Sequence, residues 1–507
     1  MHVVHGSRLR GPQTVRAEVC VIGSGSGGAV IARELAEEGF DVIVLEEGPY
    51  HPLEEYSRWR PMETFRRMAR AGGSTIAVGA KGSPTVNVLA GSCVGGGSVL
   101  TGGVCFRVPD AVHDEWVELL GTDSLSTRAM QPLYHRVEEM VHVEEVPVDM
   151  RPASTVRFAE GAEKLGWPLK PLRRNTKGCC GCSRCNFGCP HGAKMSVDLT
   201  YLPRACERGA RVYADHRVDR LRVEGGRITA VEGRLVTDPD RRSGDRFVVH
   251  ADHVIVAAGT MHTPVLLGRS RIGRRSRQMG RNLTLHPAFR AMATFDEPVD
   301  VWKGALQSAY SDAFEHEKLM FVSASAPMNM LAAGLPGVGP EWMDRTRAIP
   351  HLATFGFMLH DDPSGRVRRT LGREPFVSYA MSESDRTATR RGLELISEAF
   401  FAGGAREVLL PIFGASPIRS MDELGPVLDD LDFRRIECFS FHPLGTCRMG
   451  TDASHSVCDH TGRVWGLDNL WLADGSVVPT SVGVNTQIPI MTMATRIAFA
   501  FAEAARA

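Results

Sequence analysis

Residues 19–46 form a continuous strand, glycine turn, helix and strand pattern, which restricts the fold more than any other part of the chain. The turn has the spacing G-x-G-x-x-G at Gly23, Gly25 and Gly28, and the second apolar stretch ends at Glu46. In such a unit the glycines permit a tight turn, close approach of a pyrophosphate and close helix packing. The helix N-terminus stabilises phosphate charge, and the acid accepts hydrogen bonds from ribose hydroxyls. The pattern therefore predicts a strand–turn–helix–strand unit that binds a dinucleotide, without deciding between FAD and NAD.

Three later stretches add candidate cofactor contacts. Residues 91–97 contain four glycines, so their backbone can lie flat against a large ligand, or form a flexible loop. Two apolar strands end in small or acidic residues, where a carboxylate can bind a cofactor or cap a helix. The candidates from these stretches are Gly96, Gly97, Ser98, Ala258, Gly259, Asp474 and Gly475.

Length, charge and hydropathy restrict the class of protein. A chain of 507 residues is long enough for two joined domains. Lys+Arg and Asp+Glu are equal at 59 each, so no net positive field favours nucleic acid or an anionic membrane. Residues 1–17 lack the apolar core of a signal peptide, and no apolar run approaches roughly 18 residues, so we expect no transmembrane segment. We expect a cytoplasmic protein whose thiols stay reduced.

A cysteine-rich run is the second unusual feature of the sequence. Five cysteines lie within eleven residues: Cys179, Cys180, Cys182, Cys185 and Cys189. All but Cys180 reproduce C-x2-C-x2-C-x3-C-P, the spacing of bacterial ferredoxins, which makes the run a candidate iron–sulfur site. Four thiolates also suit structural zinc, and a disulfide or a loop without metal stays open.

The order of several motifs resembles one enzyme family. These motifs are GSGSGGAV, LEEGP, GGGSVLTGG, VAAGTMHTP, GRNLTLHP, HPLGTCRMG and LADGSVVPTSVGVN. Their sequence along the chain is similar to that of the glucose-methanol-choline (GMC) family of FAD oxidoreductases. The resemblance implies an α/β plus α+β fold: a doubly wound, Rossmann-type FAD domain with a second substrate domain on an antiparallel sheet.

The resemblance also implies how the chain is divided and which residues hold FAD. We expect the FAD-binding domain to comprise residues 15–110, 196–289 and 436–507. The substrate domain would comprise residues 111–178, as its helical part, and 290–435. Residues 179–195 would form a cysteine-rich cluster loop. Gly23, Gly25, Gly28 and Glu46 would hold the ADP part, Gly96, Gly97 and Ser98 would lie near the isoalloxazine, and Asp474 near the pyrophosphate. Thr101 stands where the family usually has asparagine, which removes the basis for a direct flavin role there.

Catalysis is predicted at His442 and Asn485, again from the family match. Oxidation of an alcohol by flavin requires removal of the hydroxyl proton as hydride leaves carbon, and a neutral histidine suits that base role. Asn485 can hold the substrate oxygen but cannot take a proton, and Thr486 follows it as a further cofactor contact. The pairing of His442 with Asn485 is most similar to the cholesterol-oxidase and long-chain-alcohol branches of the family. Residues 320–339, with three methionines, are predicted to line or cover an apolar substrate pocket, or to pack in the core.

The cysteine run has a second template within the family. Cys179-Cys180, Cys185 and Cys189 resemble the C-C-x4-C-x3-C stretch of FAD glucose dehydrogenase subunits that carry a [3Fe-4S] cluster. We therefore expect FAD and an iron–sulfur cluster, [3Fe-4S] or [4Fe-4S], in a dehydrogenase that passes electrons to an acceptor protein or quinone. Two alternatives stay open: an oxygen-using alcohol oxidase without metal, and a non-redox FAD lyase of the same fold.

Overall fold

The computed structural model describes residues 1–237, 243–273 and 276–506. Residues 238–242 and 274–275 of the predicted segment 196–289, and residue 507, therefore lie outside the described chain.

The strands are β1 (Val3–His5), β2 (Gln13–Ile22), β3 (Val42–Leu45), β4 (Ile76–Gly79), β5 (Val86–Val88), β6 (Val143–Glu145), β7 (Lys170–Pro171), β8 (Arg173–Asn175), β9 (Arg211–Ala214), β10 (His216–Glu224), β11 (Arg227–Val236), β12 (Ser243–Val256), β13 (Ala288–Thr294), β14 (Ala309–Ser311), β15 (Leu319–Ser323), β16 (Leu352–Leu359), β17 (Arg366–Arg368), β18 (Phe376–Tyr379), β19 (Glu407–Leu409), β20 (Cys438–Ser440) and β21 (Leu470–Leu472). The α-helices are α1 (Ser26–Glu37), α2 (Leu53–Tyr56), α3 (Pro61–Met68), α4 (Asp110–Leu120), α5 (Thr127–Met140), α6 (Ala153–Lys164), α7 (Tyr201–Glu207), α8 (Thr263–Arg269), α9 (Met328–Ala333), α10 (Pro340–Arg347), α11 (Glu383–Ala402), α12 (Leu424–Asp429) and α13 (Gln487–Arg506).

The first sheet carries the nucleotide-binding pattern. Its strands pair in the order β1-β9-β3-β2-β12-β11-β10, with β21 beside β12. β2 pairs in parallel with β3 and β12, whereas β11 runs antiparallel to both of its neighbours, β10 and β12. All four residues of β3 are buried, as expected for a strand inside a parallel sheet that is covered by helices. The prediction of a Rossmann-type domain is confirmed.

The second sheet forms the wall of the substrate domain. Its strands pair in the order β17-β18-β4-β5-β20-β13-β16-β15-β14-β7, with β19 beside β13. The central strands from β13 to β14 run antiparallel, as predicted, whereas the pairs β4–β18 and β5–β20 are parallel. α6 and α11 pack on this sheet and on each other.

The two sheets are built from interleaved segments. β4 and β5 come from the predicted FAD-binding segment 15–110, and β20 comes from 436–507, yet all three pair in the second sheet. α4 and α5, which were predicted for the substrate domain, place apolar residues in the same core as β2 and β3. The segment boundaries given above stay predictions.

The C-terminal helix α13 is long and apolar enough to cross a membrane by length and composition, although the sequence suggested no such segment. Two thirds of its apolar window, 67%, is buried inside the protein, and the helix packs against α1 and α5. This burial is what a core helix requires, and it explains the hydropathy without a membrane.

Candidate active site

The first glycine turn is shaped by contacts that leave no room for a side chain. Gly23 has a φ of 100°, and a Cβ there would lie 2.2 Å from the carbonyl oxygen of Ala257. A Cβ on Gly28 would lie 1.9 Å from the oxygen of Gly23, so helix α1 packs directly on the turn. Gly25 precedes α1, and a Cβ there would meet its nearest neighbour, the Cα of Gly96, at 3.9 Å. Gly25 thus faces open space in front of the helix N-terminus, which is where an anionic group is stabilised.

Glu46 is buried and binds the same turn. Its Oε2 accepts hydrogen bonds from the Ser24 amide (3.0 Å) and hydroxyl (2.7 Å), and its Oε1 accepts one from the Gly48 amide (2.9 Å). Burial raises the pKa of Glu46, and these hydrogen bonds oppose that shift. Each carboxylate oxygen has a second lone pair. The predicted contact with ribose therefore stays possible, but the carboxylate already has a structural role that the sequence did not indicate.

The second glycine run, residues 91–101, lies against the first turn, and we refer to it as the glycine loop. The Gly95 amide donates to the hydroxyl of Ser24 at 3.1 Å. The Ser98 hydroxyl donates to the carbonyl of Gly95 at 2.7 Å and accepts from the Val197 amide at 3.2 Å, so its one donor is used within the protein. A Cβ on Gly97 would have no neighbour within 4 Å, which leaves this part of the backbone open to a ligand.

Asp474 joins two loops at the edge of the first sheet. Its Oδ2 accepts hydrogen bonds from the Gly259 amide (2.8 Å) and the Thr263 hydroxyl (2.5 Å), and its Oδ1 accepts one from the Ser476 amide (2.8 Å). The last contact caps the short 3₁₀ turn Gly475–Val477, so the helix-cap alternative is confirmed. The contact of Asp474 with the pyrophosphate of FAD stays a prediction.

One cavity of about 610 Å³ connects these elements, a size typical of small-molecule and cofactor sites. The predicted residues that line it are Gly23, Gly25, Glu46, Gly96, Gly97, Ser98, Ala258, Gly259, Asp474, Gly475, Thr486, His442 and Asn485. Gly28 lies behind the turn and supports it by packing. The fold thus brings residues from four distant parts of the chain to one site.

His442 and Asn485 meet at the wall of this cavity. The Asn485 amide nitrogen lies 3.0 Å from Nε2 of His442, while Nδ1 of His442 and Oδ1 of Asn485 have no partner among the described residues. Burial lowers the pKa of His442 to about 4, so its imidazole is neutral at pH 7. A buried, neutral imidazole beside an amide can accept a proton from a hydroxyl that the amide holds.

Comparison with known proteins identifies the family. Family models described as GMC oxidoreductase match residues 65–288 and 363–494. The chain belongs to the GMC oxidoreductase family. An uncharacterized GMC-type oxidoreductase of Mycobacterium tuberculosis is 38% identical over 491 residues, which cover 96% of this chain and 76% of that protein. A long-chain-alcohol oxidase of Arabidopsis thaliana is 29% identical over 521 residues, covering 97% of this chain and 68% of that protein.

The fold matches solved structures of the same architecture. Pyridoxine 4-oxidase from Mesorbium loti superimposes with a TM-score of 0.75 at 20% identity, over 96% of this chain and 99% of that chain. At 20% identity, this similarity shows only that the two proteins share a fold. Membership of the family makes this GMC oxidoreductase an FAD-dependent oxidoreductase acting on alcohol donors. The cavity fits FAD, because Gly25 and Gly97 leave their backbone open at positions where a side chain would obstruct the cofactor.

The cysteine loop, residues 179–195, packs beside the glycine loop of this GMC oxidoreductase. The structure has Cys185 and Cys189 buried, Cys179 and Cys182 partly buried, and Cys180 exposed, all as free thiols. Burial raises the pKa of Cys179, and that of Cys182 to about 11. Because all five thiols are free, the cysteines of this loop form no disulfide with one another in the described structure.

Two buried cations hold the cysteine loop in place. The Arg174 guanidinium donates to Sγ of Cys185 at 2.8 Å and to the carbonyl of Gly102 at 2.6 Å. The Lys194 ammonium donates to the carbonyls of Val99, Thr101 and Cys185 at 2.7, 2.8 and 2.9 Å. Burial lowers the pKa of Lys194 to about 8, against the effect of the nearby thiols.

Sequence reasoning missed three residues near the two predicted sites. His191 lies with Cys180 and Cys182 so that their ligand atoms are all within 4.8 Å of one another, and its position in the cysteine run could have indicated it. The ring of His286 lies 5.5 Å from that of His442, and the GRNLTLHP motif contains it. Asp361 accepts hydrogen bonds from the amides of Leu285 and His286, and no sequence signal pointed to it.

Proposed function

We propose that this GMC oxidoreductase oxidises the CH–OH group of an alcohol with an apolar body, with His442 as the base. The observation that carries the proposal is the buried, neutral His442 with Asn485 at 3.0 Å, both on the wall of a single cavity. The cavity beside them is lined by apolar side chains: Leu306, Val322, Met330, Met358, Phe439 and Phe441. A relative named as a long-chain-alcohol oxidase supports an apolar alcohol as the substrate class.

Asn485 and His442 have separate roles in the proposed reaction. FAD, when bound by the two glycine turns, supplies the acceptor for the hydride. Asn485 binds the substrate oxygen, and His442 takes the hydroxyl proton on a ring nitrogen, which is available because burial keeps the imidazole neutral. The apolar lining excludes water, which strengthens both polar contacts.

Anaerobic reduction of bound FAD by a series of primary alcohols tests the proposal. We expect bleaching of the flavin band by apolar alcohols, and we expect His442→Ala to lower the reduction rate by about two to four powers of ten. FAD should stay bound, because the hydrogen bonds of His442 in the described chain are to Ser440 and Asn485 and not to the glycine turns. An unchanged rate in this variant would show that His442 is structural. Reduction by none of the alcohols would favour the non-redox lyase alternative.

We further propose that the cysteine loop holds an iron–sulfur cluster through Cys185 and Cys189, with ligands added from Cys179, Cys180 and Cys182. Such a cluster supplies one-electron transfer toward an acceptor protein or quinone. Two observations support it: Arg174 and Lys194 place buried positive charge beside Cys185, which suits an anionic thiolate centre, and Phe187 of the same loop lines the cofactor cavity. A cytoplasmic location belongs to this proposal, because reduced thiols are needed.

Metal analysis of anaerobically prepared protein tests the cluster. We expect iron and acid-labile sulfide with FAD, and we expect Cys185→Ser to lose iron while alcohols still reduce the flavin. Cys206→Ser, outside the loop, is the matched control and should keep its iron. Zinc bound through Cys180, Cys182 and His191 would contradict the cluster. Absence of metal would favour direct oxidation of the flavin by oxygen, which the relative named as an oxidase also supports.

A further inference from the structure

Arg290 stands on the substrate-facing side of the second sheet, among apolar neighbours. It lies two residues after Ala288 on β13, and side chains at alternate positions of a strand face the same side. Both residues line the cavity together with Met358 of β16 and Phe439 of β20. A charged side chain at this position cannot be explained by packing in an apolar wall.

The guanidinium of Arg290 makes no hydrogen bond within the described residues. Its side chain is 21% exposed, and its Nε is buried without a partner. Nη2 lies 3.9 Å from Oε2 of Glu437, which is beyond hydrogen-bond distance, and the Glu437 carboxylate is 28% exposed and has no closer partner there. Arg174, by contrast, donates to both a carbonyl and a thiol. A buried donor without a partner, such as Nε of Arg290, is costly, and a ligand that accepts hydrogen bonds from the guanidinium reduces that cost.

We propose that Arg290, whose charge is balanced by Glu437 beside it, binds a second hydroxyl group of the substrate, so that the preferred alcohols carry a neutral hydroxyl at the far end of an apolar chain. This inference rests on the proposed function, because it places the other end of the same alcohol at His442. It makes Arg290 a residue that determines specificity.

The charges of the pair favour a neutral group over a carboxylate. Arg290 and Glu437 together are neutral, and a substrate carboxylate at Arg290 would lie beside the Glu437 carboxylate. A hydroxyl can accept a hydrogen bond from the guanidinium without adding a second negative charge beside Glu437. The gap of 3.9 Å between the two side chains is too long for a direct hydrogen bond, so the guanidinium donors of Arg290 stay available to the hydroxyl.

The register of the second sheet determines the distance between Arg290 and His442, which would bind the two ends of the alcohol. Ala288 pairs with Phe439 in an antiparallel arrangement, which places Arg290 level with Glu437. Five residues of chain then lead to His442, a span of at most about 18 Å. A short alcohol cannot reach both ends, so preference should increase with chain length up to a limit.

The test compares three substrates of equal carbon number: a 1-alkanol, the α,ω-diol and the ω-hydroxy acid. The readout is kcat/KM for anaerobic reduction of the FAD-loaded enzyme. We expect the diol to exceed the alkanol by about ten- to hundred-fold, as for hydrogen bonds to charged groups. Arg290→Met should reduce that ratio to the statistical advantage of two equivalent ends. Arg406→Met, an exposed arginine away from the cavity, is the matched control and should keep the ratio.

A second variant keeps the inference testable if Arg290→Met does not fold. Glu437→Gln leaves the positive charge of Arg290 unpaired, so we expect the preference to move toward the ω-hydroxy acid. A diol-to-alkanol ratio of kcat/KM no greater than the statistical advantage of two equivalent ends in the parent enzyme would overturn the inference and leave the proposed function intact. Preference of the parent enzyme for the ω-hydroxy acid would overturn the neutral-group argument. Failure of every alcohol to reduce the flavin would instead refute the proposed function.

Discussion

Two alanine substitutions in the first glycine turn separate packing from cofactor binding. In Gly28→Ala the new Cβ would lie 1.9 Å from the Gly23 oxygen, whereas real Cβ atoms stay beyond 3.0 Å, so the backbone must move by at least 1.1 Å. Forced overpacking costs about 3 kcal/mol at the upper end of its usual range, and alanine regains about 1 kcal/mol over glycine within a helix. We therefore expect Gly28→Ala to lower the free energy of unfolding by about 2 kcal/mol.

Gly25→Ala is the matched control for this effect. Its φ of −71° suits alanine, and its new Cβ would meet the Cα of Gly96 at an ordinary 3.9 Å. We expect stability of the apoprotein to change by less than about 0.5 kcal/mol. The methyl group would, however, stand where the pyrophosphate approaches the turn, so FAD affinity should fall by at least about tenfold.

Urea unfolding of the FAD-free proteins and fluorescence titration with FAD measure the two effects separately. The expected result is a loss of stability in Gly28→Ala and a loss of FAD affinity, with unchanged unfolding, in Gly25→Ala. Parental FAD affinity in Gly25→Ala would refute the assignment of this turn to the cofactor. Parental stability in Gly28→Ala would refute the argument that α1 packs on the turn without room for a methyl group.

Two further predictions follow from the pKa shifts. Burial lowers the pKa of His442 to about 4. The rate of flavin reduction should therefore be constant from pH 7 down to pH 5 and fall as His442 becomes protonated near pH 4. A decline centred near pH 6.5 in the pH–rate profile would contradict this prediction. Burial raises the pKa of Asp361 to about 7, so its contribution to stability is complete below its unfolded pKa of about 4 and is lost as pH rises through 7. Asp361→Asn should therefore unfold with a smaller pH dependence than the parent between pH 4 and 7, measured by thermal unfolding.

The conformation of the first glycine turn could be predicted from the sequence because its determinants are local. A glycine turn between a strand and a helix has the same geometry wherever it occurs, so Gly23, Gly25 and Gly28 could be assigned from spacing alone. The roles of Glu46 and Asp474 were less predictable. Each carboxylate binds backbone amides of its own neighbourhood, and such hydrogen bonds depend on loop conformations that spacing does not determine.

The substrate end of the site could not be predicted in the same way. Arg290 and Glu437 become neighbours only when β13 pairs with β20, and that pairing joins residues about 150 positions apart in the chain. The strands of the second sheet are short, and their order depends on packing against α6 and α11 rather than on local propensity. Of residues 320–339, the structure places Val322, Ala324, Ser325, Ala326 and Met330 at the cavity, in agreement with the pocket-lining alternative.

Lys194 shows why the cysteine loop belongs to the catalytic unit rather than to the surface. Its ammonium group is buried and donates to two carbonyls of the glycine loop, at Val99 and Thr101, and to one carbonyl of the cysteine loop, at Cys185. A single buried cation that satisfies carbonyls from both loops fixes the position of each relative to the other, since moving either loop would leave donors unpaired. The position of the cysteine loop is therefore coupled, through Lys194, to the backbone of the glycine loop at Val99 and Thr101.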